Sequence, residues 1–403
     1  MILDRWQQVL ERHRASPALL AQGASYSFAE LDAGARAVLL PEQEPIIAQG
    51  GAPEVMLAIL AAVINGRCVQ VVEKDRNQRV PRGQIPAGTF LIKQTVGATG
   101  VRRCQYFSEA QLLADVDRVN EVLGLQACDA TVSAISPAHS YGLTVTVLQT
   151  LLHGLPMQWV AEPFPEPLCA ALRQHRQPFL PGIPALWRAW LMAKLSLCPG
   201  TLCVSAGSPL TLELEHKFHA QTGHKLHNLY GTSESGAISY DASHELRSEA
   251  SYVGQLLPGV RVTEELGHLC VCSDAVGIGY DEPLAGERFG EGCFLTADQG
   301  NLQDAALYLH GCTGAGINVA GRKIAPEEIA AKLRLALGMS AVFVSAETSR
   351  DPERCQQVVV TLDLPKSELT PELKKKACAQ LAPWELPRRW EVCAEHEGKR
   401  GRR

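Results

Sequence analysis

The sequence predicts an α/β protein in two parts. A large N-terminal domain has mixed and parallel sheets flanked by helices, with a small distorted β region at its end. A small C-terminal α+β domain follows, joined by a hinge. Three observations predict this. Short apolar strands alternate with helices from Pro53 to Leu229, the pattern of parallel sheets covered on both faces. After Ser251 the alternation gives way to short segments with frequent turns. The glycine-rich stretch Gly311 to Gly321 then precedes a separate run of helix and strands. The domains are expected at 1–311 and 312–403.

The elements follow in order. Leu3, Trp6, Val9 and Leu10 sit at helical spacing between charges, which predicts a docked amphipathic helix and not a secretion signal with a continuous apolar centre. Glu54 to Asn65 is an apolar-rich helix that begins after Pro53 and stops at Gly66. Cys68 to Val72 reads as a buried strand, Thr131 to Ile135 as another, and Leu143 to Leu152 as a helix closed by Gly154. Leu202 to Ser205, Leu212 to Thr222 and Lys225 to Leu229 read as strand, helix and strand. Short antiparallel strands are expected between Gly254 and Val271. In the last part, Pro326-Glu-Glu-Ile opens a helix with proline and acids in its first turn, and Gly338 closes it. Val342 to Ser345 and Val358 to Leu362 are strands around an Asp351-Pro352 turn.

Composition narrows the function classes. With 403 residues and 46% hydrophobic content, the chain can build a sizeable core. A formal charge of −5 is small for this size and does not indicate a nucleic-acid partner. No apolar run is long enough to span a bilayer. The 13 cysteines are odd in number and scattered, with no C-x-x-C pair; Cys270 and Cys272 alternate along one strand. Buried free thiols in a reducing cytoplasm are therefore expected, without a zinc-type site.

The most informative segment is Asn228-Leu-Tyr-Gly-Thr-Ser-Glu-Ser-Gly236. A tight glycine turn is expected to carry the Tyr230 ring, the Thr232 and Ser233 hydroxyls and the Glu234 carboxylate. An aromatic face suits a purine, hydroxyls suit a phosphate, and one carboxylate together with phosphates suits Mg²⁺. Six further segments are candidates. Thr95-Val-Gly-Ala-Thr-Gly100 follows an apolar strand and has the donors to wrap phosphate oxygens, but lacks the Gly-Lys-Ser/Thr ending of a Walker loop. Ser136-Pro-Ala-His-Ser-Tyr-Gly-Leu143 puts His139 at a strand end, where open sheets bind ligands. Ala206-Gly-Ser-Pro-Leu210 puts Gly207 and Ser208 at another. Phe294-Leu-Thr-Ala-Asp-Gln-Gly300 holds Asp298, which suits a ribose. Gly321-Arg-Lys-Ile-Ala-Pro-Glu-Glu-Ile329 and Gly398-Lys-Arg400 complete the set. Each segment alone also reads as an ordinary polar loop or a solvated charge.

In this order and spacing the seven segments resemble the adenylate-forming superfamily of acyl-CoA synthetases, peptide-synthetase adenylation domains and luciferases. The resemblance runs from Tyr26-Ser-Phe-Ala-Glu-Leu31 to Lys399, nearly the whole chain. It implies two half-reactions on one site, with a small domain that rotates between them. A carboxylate attacks the α-phosphate of ATP and releases pyrophosphate; a thiol, from CoA or a carrier-protein phosphopantetheine, then displaces AMP. It further implies that Thr95, Gly97, Thr99 and Gly100 hold the β- and γ-phosphates, and that Tyr230 stacks on adenine within the Asn228–Gly231 segment. Thr232 and Ser233 would meet the α-phosphate, Glu234 would bind Mg²⁺ and Asp298 the ribose. His139, Gly207 and Ser208 would border the acyl pocket, and Lys399 would bridge carboxylate and phosphate as a mobile point charge.

Several positions depart from the family pattern. Val96 stands for the usual serine, Arg102-Arg103 for Pro-Lys, and Ala297 for the glycine before Asp298. In Leu309-His-Gly-Cys-Thr-Gly314 the usual arginine is Cys312 and the acidic hinge position falls near Gly314. A lost ribose contact and a looser hinge are expected, for which His310 or Arg322 would have to compensate. The leading expectation is a cytoplasmic ligase, monomer or homodimer, that loads an aryl or short acyl group in a secondary-metabolite pathway. Lys374-Lys-Lys376, Arg388-Arg389 and the Lys399–Arg403 tail make the small domain locally basic, which suits an acidic acyl carrier protein or CoA phosphates. The alternative is an adenylate-binding scaffold with weak or no turnover. A serine hydrolase is disfavoured because residue 235 is serine where G-x-S-x-G needs glycine. Dinucleotide binding through Gly314 to Gly321 fails on spacing.

Overall fold

The computed structural model describes residues 1–42, 44–73, 79–96, 102–265, 267–283, 287–312, 317–319, 322–324, 326–339, 342–349, 356–362, 364–379 and 381–392. The chain divides into two compact units. The larger comprises Met1–Thr95 and Arg103–Cys312; the smaller comprises Val96–Arg102 and Thr313–Arg403.

Two sheets dominate the larger unit. The first has eleven described strands. Its centre is a parallel run: Met157–Trp159, Ala130–Ser133, Pro178–Gly182, Leu202–Ser205 and Leu226–Thr232. The second places Ile46–Gln49, Val69–Val72 and Leu91–Val96 in parallel, then Arg102–Phe107 and the short Gly279–Tyr280. Strands such as Val69–Val72 are buried along their whole length, as parallel strands covered on both faces must be. The turn-rich region forms a separate four-stranded sheet that includes Arg261–Glu265 and His268–Cys272.

Helix ends follow local chemistry. Ser108 caps helix Glu109–Val122 and Gln111 bonds back to its N–H, a reciprocal box that satisfies two otherwise orphaned donors. The N-terminal helix Ile2–His13 buries Ile2, Trp6 and Val9, and the Trp6 indole donates to Asp32 at 3.0 Å.

Three expectations need correction. The helix expected over Leu143–Leu152 begins at Ser140, and its stretch Leu143–Val147 winds as a π-turn before regular helix resumes at Leu148–His153. The β-branched run Thr144-Val-Thr-Val147 crowds this turn, and the Thr146 hydroxyl donates back to the Gly142 carbonyl. A Cβ on Gly142 would lie 2.0 Å from the Ser136 carbonyl oxygen, so no larger residue fits where this helix leaves the strand end. Second, Tyr230 to Thr232 are not in a turn: they are the last residues of strand Leu226–Thr232, which pairs antiparallel with Gly236–Tyr240. Third, the cysteines are not all free. Cys272 and Cys293 face each other on adjacent antiparallel strands and form a disulfide. The sequence hid this because the bridge depends on a strand pairing, not on spacing. Eight other described cysteines are free thiols.

In the smaller unit, helix Pro326–Leu337 and helix Pro371–Cys378 accompany a three-stranded sheet. Val342–Thr348 pairs antiparallel with Gln356–Leu362, and Arg389–Val392 pairs parallel with the latter. Ile329, Leu333, Val342, Val358 and Val360 form its core. No described helix is long and apolar enough to cross a membrane.

Candidate active site

The parallel strands of the first sheet all end on one side, the edge where open α/β sheets bind ligands. Ser133 leads toward exposed His139, Ser205 leads to Ala206 and Gly207, and Asn228 leads to Tyr230. Asn228 is buried and pairs in register with Ser205. His139 is the residue before the helical turn, and its carbonyl accepts from the Leu143 N–H at 2.8 Å.

The hairpin from Tyr230 to Gly236 is the centre of the site. The Tyr230 hydroxyl donates to Asp298 Oδ2 at 2.6 Å. The two residues assigned to the base and the sugar therefore adjoin, although 68 positions apart. Thr232 and Ser235 share a hydroxyl–hydroxyl bond of 2.9 Å, and the Ser235 N–H donates to Thr232 Oγ1 at 3.2 Å. Ser233 lies half-buried at the tip. Glu234 is clamped from both ends: its carbonyl accepts from the Gly277 N–H at 2.9 Å, and its carboxylate accepts from the Tyr280 hydroxyl. Tyr280 belongs to the edge strand of the second sheet, so this bond joins the two sheets at the site. Burial and the adjacent Glu234 charge push the Tyr280 hydroxyl well above its ordinary pKa, which makes it a firm proton donor. Gln105 also bonds the Tyr280 oxygen, at 2.9 Å, and the Arg103 guanidinium lies 3.5 Å over its ring.

A bound divalent ion is best tested against these donors. Glu234 keeps one carboxylate oxygen beyond the Tyr280 bond, which matches Mg²⁺ held by a single carboxylate plus nucleotide phosphates. Among the described residues no group of three or more His, Cys, Asp or Glu side chains is placed to hold a metal by itself. Thr95 Oγ1 is buried without a hydrogen-bond partner. Such a group is costly unless a ligand completes it.

Residues that sequence reasoning missed hold this arrangement. Asp115, 5% exposed, projects from helix Glu109–Val122 and accepts from the Ala237 N–H at 2.9 Å and the Thr144 hydroxyl at 3.0 Å. It is packed into the hairpin where Gly236 turns with φ +69°. Its spacing from Leu112, Val116 and Val119 marks it as an acid on the buried helix face, the signal that would have found it. Behind the hairpin lies a buried charge network. Lys225 bridges Glu215 (2.6 Å) and Asp241 (3.0 Å), while Arg247 binds Glu215 (2.6 Å) and donates to the carbonyls of Leu210 and Tyr252. Burial pushes the Glu215 carboxyl up, but Lys225 and Arg247 outweigh it and hold the group below its ordinary value. Tyr280, Gln105 and Lys93 were likewise missed.

Other expected residues are placed differently. Arg103, which stands where the resemblance implies lysine, is buried and paired in a fork with Glu287 at 2.6 and 2.7 Å. Cys312 lies opposite Asp298 in the antiparallel ladder, and His310 bonds Asn301. Arg322 opens the short strand Arg322–Ile324 of the smaller unit. Gly97, Thr99, Gly100 and Lys399 lie outside the described residues.

Known proteins place this geometry in context. A family model described as AMP-binding enzyme matches residues 26–277. The chain is 21% identical over 346 residues to a long-chain-fatty-acid–CoA ligase of Bacillus subtilis, covering 80% of this chain and 61% of that protein. It is 22% identical over 374 residues to a 4-hydroxybenzoate–CoA/benzoate–CoA ligase of Rhodopseudomonas palustris, covering 87% and 67%. The chain thus spans about two thirds or less of the length of these curated relatives. Among solved structures, a double mutant of o-succinylbenzoate CoA synthetase from Bacillus subtilis, bound with a product analogue, superposes with a TM-score of 0.82 at 15% identity over 97% of this chain and 94% of that one. A malonyl-CoA ligase with methylmalonyl-CoA and AMP bound gives 0.75 at 21% identity over 94% and 95%. These likenesses show the shared α/β fold. The family match contains the 228–236 hairpin and the ends of the parallel strands that carry it, and on that ground the chain belongs to the AMP-binding enzyme family.

Proposed function

We propose that this protein is an acid–thiol ligase. It activates a carboxylic acid with ATP as an acyl-adenylate, releases pyrophosphate, and transfers the acyl group to a thiol, that of CoA or of a carrier-protein phosphopantetheine. The observation that carries the reading is the Tyr230–Asp298 hydrogen bond, which brings a ribose acceptor on strand Asp298–Gln303 against the hairpin that carries the aromatic face and the metal-competent carboxylate of Glu234. The two curated relatives, both named as CoA ligases, support the acid and the thiol.

In this reading Tyr230 orients the base and Asp298 the sugar. Glu234, steadied by Tyr280, holds Mg²⁺, which when bound neutralises phosphate charge. Asn228 and Gly231 flank Tyr230 at the base, Thr232 and Ser233 line the α-phosphate, and Thr95, Gly97, Thr99 and Gly100 the outer phosphates. His139, Gly207 and Ser208 border the acid. Lys399 supplies the ammonium that draws carboxylate and α-phosphate together. Such transfers need positioning and charge neutralisation more than covalent help. We assign residues 1–311 to acid and nucleotide binding and 312–403 to a mobile domain, in a soluble monomer or homodimer of the cytoplasm. The basic helix Pro371–Cys378, with Lys374 to Lys376, is the docking candidate for an acidic carrier protein or CoA phosphates.

A second reading, an adenylate-binding scaffold in a biosynthetic complex, is favoured by one observation. Cys312, at the position where the resemblance implies arginine, pairs with Asp298 in register. Pyrophosphate exchange with ATP, run over a panel of aryl and short alkyl acids, separates the two. Exchange driven by one acid class supports the ligase; ATP binding without exchange for any acid supports the scaffold.

A further inference from the structure

Lys93 is a charge within the second sheet that the site as described leaves without work. It sits on strand Leu91–Val96, paired in register with Val71, and is only 6% exposed. A lysine is almost never buried unless something answers its charge. Its ammonium lies 4.3 Å over the Phe107 ring. Burial pulls its ammonium below the ordinary lysine pKa, and the carboxylates of Asp115 and Glu234 oppose this only in part. Among the described residues it has no hydrogen-bond acceptor and no ion pair within bonding distance. A ring face compensates a desolvated ammonium only in part.

Two positions along the same strand is Thr95, and alternating side chains put both on one face. The Thr95 hydroxyl is buried and also lacks a partner. Two neighbouring buried donors thus face one side of a strand that leads into the glycine loop, in reach of the electrostatic influence of Glu234. An apolar ligand would leave both unpaired, and a cation alone would be repelled by the ammonium. An anion answers both.

We infer that Lys93 and Thr95 form one anion subsite for the outer phosphates of a nucleoside triphosphate, with Lys93 as a phosphate-binding residue. The inference rests on the nucleotide reading above and adds a binding residue to it.

The test compares the full chain with Lys93→Met, Lys93→Arg and Thr95→Val, measuring binding of ATP, inorganic pyrophosphate and adenosine by calorimetry. Losing a charge-assisted contact should weaken ATP and pyrophosphate about 10- to 100-fold in Lys93→Met, with adenosine binding unchanged. Lys93→Arg should restore most of the phosphate affinity. Equal weakening of ATP and adenosine, or no weakening of either, overturns the inference, since a merely structural lysine would not single out phosphates. If Lys93→Met does not fold, Lys93→Gln carries the same test: ATP weakened with adenosine intact supports the subsite, and ATP unchanged overturns it. Failure of the unmodified protein to bind ATP or adenosine, with pyrophosphate still bound in a Lys93-dependent way, would refute the nucleotide reading while leaving the anion subsite standing.

Discussion

Asp115 fills the space that a side chain at Gly236 would need, and replacing Gly236 by alanine measures how firmly the Tyr230–Gly236 hairpin is held. The new Cβ would lie 2.3 Å from Asp115 Oδ1, with the backbone at φ +69°. A left-handed alanine costs about 1–2 kcal/mol. To clear the methyl the carboxylate must leave the Ala237 N–H, and an unsatisfied buried donor costs about 1–3 kcal/mol. The single substitution should therefore destabilise the larger unit by roughly 2–5 kcal/mol. Asp115→Ala is also destabilising, because it strands the Ala237 N–H and the Thr144 hydroxyl together. In that background the clash is gone, and Gly236→Ala should cost only the left-handed penalty of about 1–2 kcal/mol. The double-mutant cycle thus yields a coupling of about 1–3 kcal/mol. Urea unfolding of the four proteins, followed by circular dichroism, gives the four free energies. Losses that add to within about 0.5 kcal/mol would refute the claim that the two residues share one space and one hydrogen bond.

Three further outcomes are expected. Glu215→Gln should cost about 3–5 kcal/mol at neutral pH, because Lys225 and Arg247 lose their buried counter-charge. The native Glu215 carboxyl is held below its ordinary value of 4.5, so its contribution is present above that value and lost as pH falls through the lower, folded one. Unfolding curves should therefore show the gap between wild type and Glu215→Gln closing in acid; a gap independent of pH would contradict the assignment. Lys399→Ala should slow pyrophosphate exchange by about 100-fold or more, the scale of losing one transition-state charge contact, while a preformed acyl-adenylate still reacts with the thiol. Equal loss in both half-reactions would remove Lys399 from acid activation. Glu234→Gln should raise the Mg²⁺ concentration needed for half-maximal exchange by about tenfold; an unchanged Mg²⁺ dependence would remove its metal role.

Most of the α/β framework was legible because its signals are local. Alternating strand and helix, glycine ends and capping residues placed Leu202–Ser205 and Leu212–Thr222 at their observed bounds. The 228–236 hairpin was legible as a set of chemical groups, but its backbone was not: Tyr230 and Thr232 lie on a strand because strand Gly236–Tyr240 pairs back onto them, a non-local event. The same holds for Asp115, Tyr280 and the Cys272–Cys293 bridge, whose partners lie between 21 and 175 positions away. Lys93 was overlooked for a different reason. Within Phe90-Leu-Ile-Lys it reads as the polar end of an apolar run, and only burial shows it to be inside.

The Tyr280–Glu234 bond has a consequence for transplanting this chemistry. The carboxylate sits on one sheet and its anchoring phenol on the other. A chimera that borrowed the 226–240 hairpin alone would import the aromatic ring with its strand, yet leave the acid free to swing. Donor and recipient must be exchanged as a pair of sheets for that acid to keep its aim.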